Sequence, residues 1–158
     1  MTTPTYRDRL RLEGSVLAGC GALSAGLVLA FGDGATDGPV STVVQLAAVL
    51  LLMATAGVYS VRRSLDHAVE VTEPGTGEPT ALWKLPAIVA ALTLAFGFGV
   101  GWDAGLRIGG GCVVVGLSQA VLFERIVAAR ERGAGKRFVR VTGSSLFTGT
   151  RLGALPRA

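Results

Sequence analysis

The stretch LRIGGGCVVVGLSQAVLFERIV, Leu106 to Val127, sets three consecutive glycines ahead of an apolar run. Such a pattern can do two different jobs. A glycine-rich loop opening a helix cradles phosphate with its backbone N–H groups. A glycine-bearing helix inside a bilayer lets a second backbone approach closely. The phosphate reading needs further residues. In a Walker-type loop a lysine reaches the terminal phosphates and a hydroxyl meets magnesium. No lysine follows Gly109, Gly110 or Gly111 at that spacing. GFGVGW and GCGALSAG each contain G-x-G without the third glycine that a dinucleotide fingerprint requires. Such loose matches arise by chance in a chain with 23 glycines. No nucleotide cofactor is expected.

The remaining reactive side chains are sparse. Cys20 and Cys112 lie inside apolar segments, and His67 is the only histidine. Two thiols and one distant imidazole make no tetrahedral zinc set. Both cysteines read as small packing residues, and neither is expected in a disulfide. Glu70, Glu73 and Glu78 fall in the polar stretch EVTEPGTGEPTA, whose Pro and Gly mark an irregular linker. No nucleophile–base pair, metal cluster or paired carboxylate emerges, so the expectation is a protein that is not an enzyme and binds no metal. Gln45, Thr93, Ser118 and Gln119 are the polar residues set deepest in apolar surroundings. There an amide or hydroxyl needs a partner, so interhelical hydrogen bonding is expected ahead of a transport path. Asp103 and Arg107 are four apart and can pair on one helical face.

What must hold these residues is a set of four apolar segments, about 14–31, 39–60, 83–102 and 105–127. Crossing a hydrocarbon core takes roughly 20 helical residues, and each segment approaches that length. Their middles carry no charge, and only 16% of the 158 residues are charged. Soluble helices show one apolar stripe and one polar face, and these segments are apolar all round. The expected fold class is an all-α integral membrane protein, a bundle of four transmembrane helices arranged as two helical hairpins. Retention of segment 14–31 is expected over cleavage, because its apolar core is longer than that of a signal peptide.

Basic residues orient the bundle. Arg7, Arg9 and Arg11 precede the first segment, and Arg62 and Arg63 follow the second. Arg125, Arg130, Arg132, Lys136, Arg137, Arg140, Arg151 and Arg157 end or follow the fourth. The connections GDGATDGP and DAG contain no Lys or Arg. By the positive-inside rule both termini face the cytoplasm of a cell whose inner (plasma) membrane holds the chain. This gives a basic N-tail over 1–13, a transmembrane domain over 14–127 and a cytoplasmic linker over 61–82. A basic C-tail over 128–158 follows, with too few apolar residues for a core of its own; it is read as disordered, as membrane-surface, or as a short element against a partner. Trp83 and Trp102 bracket the third segment and, with Arg107, are expected interface anchors. The pI near 9.7 then reflects topology and attraction to anionic lipids at the basic tail, with no nucleic acid implied.

Lipid is as apolar as leucine, so helices associate where small residues let backbones meet. Small residues recur every four positions at Ala18, Ala22 and Gly26, and at Ala87, Ala91, Ala95 and Gly99. In the fourth segment Gly105 and Gly109 form one such row, and Cys112, Gly116 and Ala120 a second. Segments one, three and four are therefore expected to pack together, leaving the bulkier second against lipid. The functional expectation is a small membrane protein that acts by helix association, as a subunit of a larger complex such as a transporter or as a homo-oligomer. The alternative is a self-assembling carrier or channel with a polar path through Gln45, Thr93, Ser118 and Gln119. In layout alone the chain resembles the small four-helix accessory subunits of bacterial transporters, such as that of the tripartite tricarboxylate transporters. No motif transfers a role to any residue.

Overall fold

The computed structural model describes residues 5–31, 39–71, 84–140 and 152–156. These are mostly helical. α1 spans Tyr6–Phe31. α2 (Pro39–Leu52) runs through a π-helical segment (Met53–Gly57) into α3 (Val58–Asp66) as one continuous rod. α4 is Lys84–Gly99. α5 (Trp102–Leu117) passes through a second π segment (Ser118–Phe123) into α6 (Glu124–Ala134), again as one rod. Three helices, Tyr6–Phe31, Ser41–Asp66 and Trp102–Ala134, are long and apolar enough to cross a membrane; Lys84–Gly99 is apolar and shorter.

α1 begins well before its apolar stretch, so residues 6–13 extend the helix where a tail was expected. A capping box starts it. Thr5 Oγ1 donates to Asp8 Oδ2 at 2.6 Å, and the Asp8 N–H donates back to Thr5 Oγ1 at 3.2 Å. The Thr5 hydroxyl is the main influence holding the Asp8 carboxyl below its ordinary value; partial burial opposes it, and the Thr5 N–H, Arg7 and Arg11 assist. A depressed carboxylate stabilises the fold above its unfolded pKa, near 3.9, and loses that contribution as pH falls through its lower folded value. Asp8→Asn, which keeps an acceptor oxygen and loses the charge, is thus expected to cost about 0.5 kcal/mol at pH 7. The difference from wild type should begin to shrink in unfolding titrations as pH falls below about 4 and vanish only below the lower folded value.

The third and fourth helices meet at a two-residue turn, Val100 and Gly101, placed earlier than the expected DAG loop. Gly101 adopts φ 151°, and the N–H groups of Val100 and Gly101 both donate to Phe96 O at 3.0 Å. A side chain rarely tolerates that φ, so glycine sets the break. Trp102 consequently opens α5 instead of closing the third segment, and Asp103 sits in the first turn, where the helix dipole favours a carboxylate.

Packing departs from two equal hairpins. α1, α4 and α5 form a mutually packed trio, and α2 lies against α5 rather than against α1. None of the apolar window of the second rod is buried within the chain. The reason is steric: VSTVVQLAAVLLL presents branched side chains where a close backbone approach needs small ones.

The largest correction concerns the basic end. Residues 136–140 and 152–156, expected in a tail, form strands β2 (Lys136–Arg140) and β3 (Leu152–Pro156). With β1 (Val69–Glu70) they make a sheet in the order β1-β3-β2. β3 pairs antiparallel with β2, Phe138 opposite Ala154, and parallel with β1, Val69 opposite Gly153. Gly135, at φ 62°, supplies the left-handed residue that ends α6 and turns the chain into β2. The sheet covers the helix ends. Leu10, Val61, Leu65, Phe123, Val127, Phe138, Leu152 and Ala154 form one buried cluster. No single segment has enough apolar residues for a core; six elements supply it together.

Candidate functional site

The tightest interface joins α1 to α5 and is built from glycine. A Cβ placed on Gly14 would lie 2.5 Å from Gly116 O, and one on Gly116 would lie 2.5 Å from Gly14 O. One turn-pair along, a Cβ on Gly21 would meet Gly109 O at 2.7 Å. A Cβ on Gly105 would meet Gly97 Cα at 2.7 Å, which brings α4 equally close. Of the expected small residues, Ala18, Gly105, Gly109 and Gly116 are buried here, with Cys112 and Ala120 half-buried beside Gly21 and Gly14.

The other expected rows point elsewhere. Ala22, Gly26, Ala87, Ala91, Ala95 and Gly99 are exposed on the chain's own surface. Gly26 and Gly99 have nothing within 4 Å of a built Cβ. The faces used within the chain are instead Gly14, Ala18, Gly21 and Val28 on α1 and Pro86, Thr93 and Gly97 on α4. A strict four-residue spacing advances about 40° per step round a helix, so such a row winds off a nearly parallel neighbour and suits a helix that crosses at a steeper, right-handed angle. Alternating steps of four and three stay on one face.

The polar residues do not converge. Thr93 is fully buried, and its hydroxyl donates to Val89 O at 2.9 Å. Ser118 is buried in the second π segment, Gln119 beside it is half-buried, and Gln45 is exposed on α2. None of the four lines the groove between α3 and α6 described below. Trp83 lies outside the described residues, and Trp102 is half-buried at the start of α5. Cys20 and Cys112 are free thiols.

Arg107 forms the expected i,i+4 ion pair with Asp103. The pair also ties α5 to the second rod. Thr42 Oγ1 donates to Asp103 Oδ1 at 2.8 Å, and Arg107 Nη2 donates to Ser41 Oγ at 2.9 Å. Hydrogen bonds therefore hold α2 at a place where no small-residue face does.

Glu124 is the residue sequence reasoning passed over. It is buried, and it pairs with Arg7 and, at 3.0 Å, with Arg11, two residues one helical turn apart on α1. The signal was available: one carboxylate ends an apolar segment among basic neighbours. Arg130 pairs with Asp66, and Lys136 with Glu70, at the same end. Lys136 donates a hydrogen bond to the exposed Glu70 carboxylate and holds its pKa below the ordinary value. Among the described residues no group of three His, Cys, Asp or Glu side chains gathers to hold a metal. Comparison with family models, curated proteins and solved structures found no match.

Proposed function

We propose that the chain is a four-span integral membrane protein of the cell's inner (plasma) membrane, with both termini cytoplasmic, that works by helix association. It acts as a subunit of a larger membrane complex or as a homo-oligomer, without chemistry of its own. One observation carries the reading: the packing is inverted relative to a soluble protein. Glycine, alanine, serine and threonine lie between the rods, while Leu23, Leu29, Val43, Leu51, Phe98 and Val100 point outward. Water would not support an exposed apolar surface of that extent, and lipid tails would. At 16 residues α4 rises about 24 Å, shorter than the roughly 30 Å core, and a local thinning or a tilted neighbour accommodates it.

Association is supported by the small-residue rows left unused inside the chain. Ala87, Ala91, Ala95 and Gly99 lie along the outer surface of α4, with Ala22 and Gly26 on α1. Exposed small residues on a lipid-facing helix are where a further helix approaches. The basic cap supports the orientation, since arginines gather at one end of α1, of the second rod and of the α5–α6 rod, and Lys84 opens α4.

The test reads assembly and fold separately. Ala91→Leu with Ala95→Leu should lower the assembled fraction on native gels about tenfold, since interhelical contacts are worth about 1–2 kcal/mol. Helix content and melting in detergent should stay unchanged. Assembly that ignores both substitutions, or a wild-type chain that is monomeric and partnerless in mild detergent, would overturn the proposal. A reporter fused after Ala158 that appears outside the cell would overturn the orientation.

A further inference from the structure

Between α3 and α6, at the basic end, lies a groove of about 780 Å³. Its walls are two helical faces. Arg62 and Leu65 are three apart on one; Leu122, Arg125, Ile126 and Arg130 follow helical spacing on the other. Arg130 is committed to Asp66. Arg62 and Arg125 are exposed and have no ion-pair partner among the described residues. Leu122 and Ile126 are half-buried below them, and Leu65 belongs to the core.

We propose that this groove binds one anionic phospholipid, its phosphate held by Arg62 and Arg125 and its acyl chain laid along Leu122 and Ile126. The inference rests on the membrane reading, which places the groove at the inner headgroup level. Three features select a lipid. The guanidinium fork matches phosphate oxygens bidentately. The apolar floor beneath the charges matches an acyl chain and offers nothing to free phosphate. A second copy of the chain would bring the same arginines and be repelled. Basic pockets between spans on the cytoplasmic side suit acidic headgroups by the same physics.

The groove differs from a diffuse basic surface in its position-dependence. Arg63 and Arg132 lie at the same end and do not line it. Native mass spectrometry of the detergent-purified full chain with added phosphatidylglycerol or phosphatidylcholine reads the difference. Wild type and the charge-matched Arg63→Gln/Arg132→Gln control should retain phosphatidylglycerol and release phosphatidylcholine. Arg62→Gln/Arg125→Gln should retain phosphatidylglycerol about thirtyfold less, from about 1 kcal/mol for each of two arginines. Ile126→Trp keeps every charge, fills the groove and should also lose the lipid; it decides the matter if the double arginine variant fails to fold. Equal losses in the control pair, full retention in the groove variants, or displacement by equimolar inorganic phosphate would overturn the site. Alkaline carbonate extraction separates the premises: a wild-type chain that stays with membranes but keeps no lipid sinks the groove alone, and one that is extracted sinks the membrane reading.

Discussion

Gly14→Val should destabilise the folded chain by about 3 kcal/mol or more in a mild-detergent-to-SDS titration, whereas Gly19→Val should shift it by less than about 0.5 kcal/mol. The two glycines lie on the same helix, one and a half turns apart. They differ in what a side chain would meet. A Cβ at Gly14 would stand 2.5 Å from Gly116 O and 2.7 Å from Ala120 N, while one at Gly19 has nothing within 4 Å. The obstructing atoms are backbone, so no rotamer change relieves the clash. α1 and α5 must separate along their length and lose the dispersion contacts that hold helices together where burial from water contributes little. Gly116→Val should behave like Gly14→Val, because its Cβ would meet Gly14 O at 2.5 Å and Ala18 N at 2.6 Å. The pair should not be additive, since one separation of the rods relieves both clashes. If Gly14→Val and Gly19→Val melted alike, the close α1–α5 contact would be wrong.

That contact also shows how far the sequence could be read. The fourth segment was legible because its two rows, Gly105–Gly109 and Cys112–Gly116–Ala120, join through a three-residue step into an alternating stripe. That stripe stays within about 20° per seven residues, which a straight neighbour can follow. The rows chosen on the first and third segments repeated every four without a three, so they wound away from the interface. The stripes in use are Gly14–Ala18–Gly21, which shares Ala18 and leaves the row at a three-residue step, and Thr93–Gly97, which lies two positions off and includes a threonine. Thr93 packs as a small residue because its hydroxyl is satisfied within its own helix.

The cap was hidden for a different reason. KRFVR is too short and too charged to announce a strand, and LGALP is too short and carries Gly and Pro. Their pairing needs β1 some 66 residues upstream, where Glu70 meets Lys136, and a floor built from Leu10, Val61 and Phe123. Only the three-dimensional meeting of rod ends creates that floor. The charge bias, in contrast, needs no contacts, only the count of arginines between segments, and three of those arginines, Arg7, Arg11 and Arg130, serve as ion-pair partners at this end.

One of those pairings yields a prediction of sign as well as size. Arg7→Gln with Arg11→Gln should cost about 3 kcal/mol or more, while Glu124→Gln should cost only about 1–2 kcal/mol, although both remove the same two ion pairs. The asymmetry comes from burial. The Glu124 side chain is 6% exposed, against 38% for Arg7 and 56% for Arg11. When the carboxylate goes, the arginines, already part-exposed, swing to solvent along their flexible stems. When the arginines go, a buried carboxylate is left without a counter-charge, and burying an unpaired charge costs several kcal/mol. Adding Glu124→Gln to the double arginine variant should therefore restore stability, so that the triple variant melts above the double. A structural role for the arginines alone, as topology markers or surface charge, predicts no such rescue. A triple variant that melts at or below the double would show that Glu124 is solvated at this end and that the two ion pairs do not join α1 to the fourth rod.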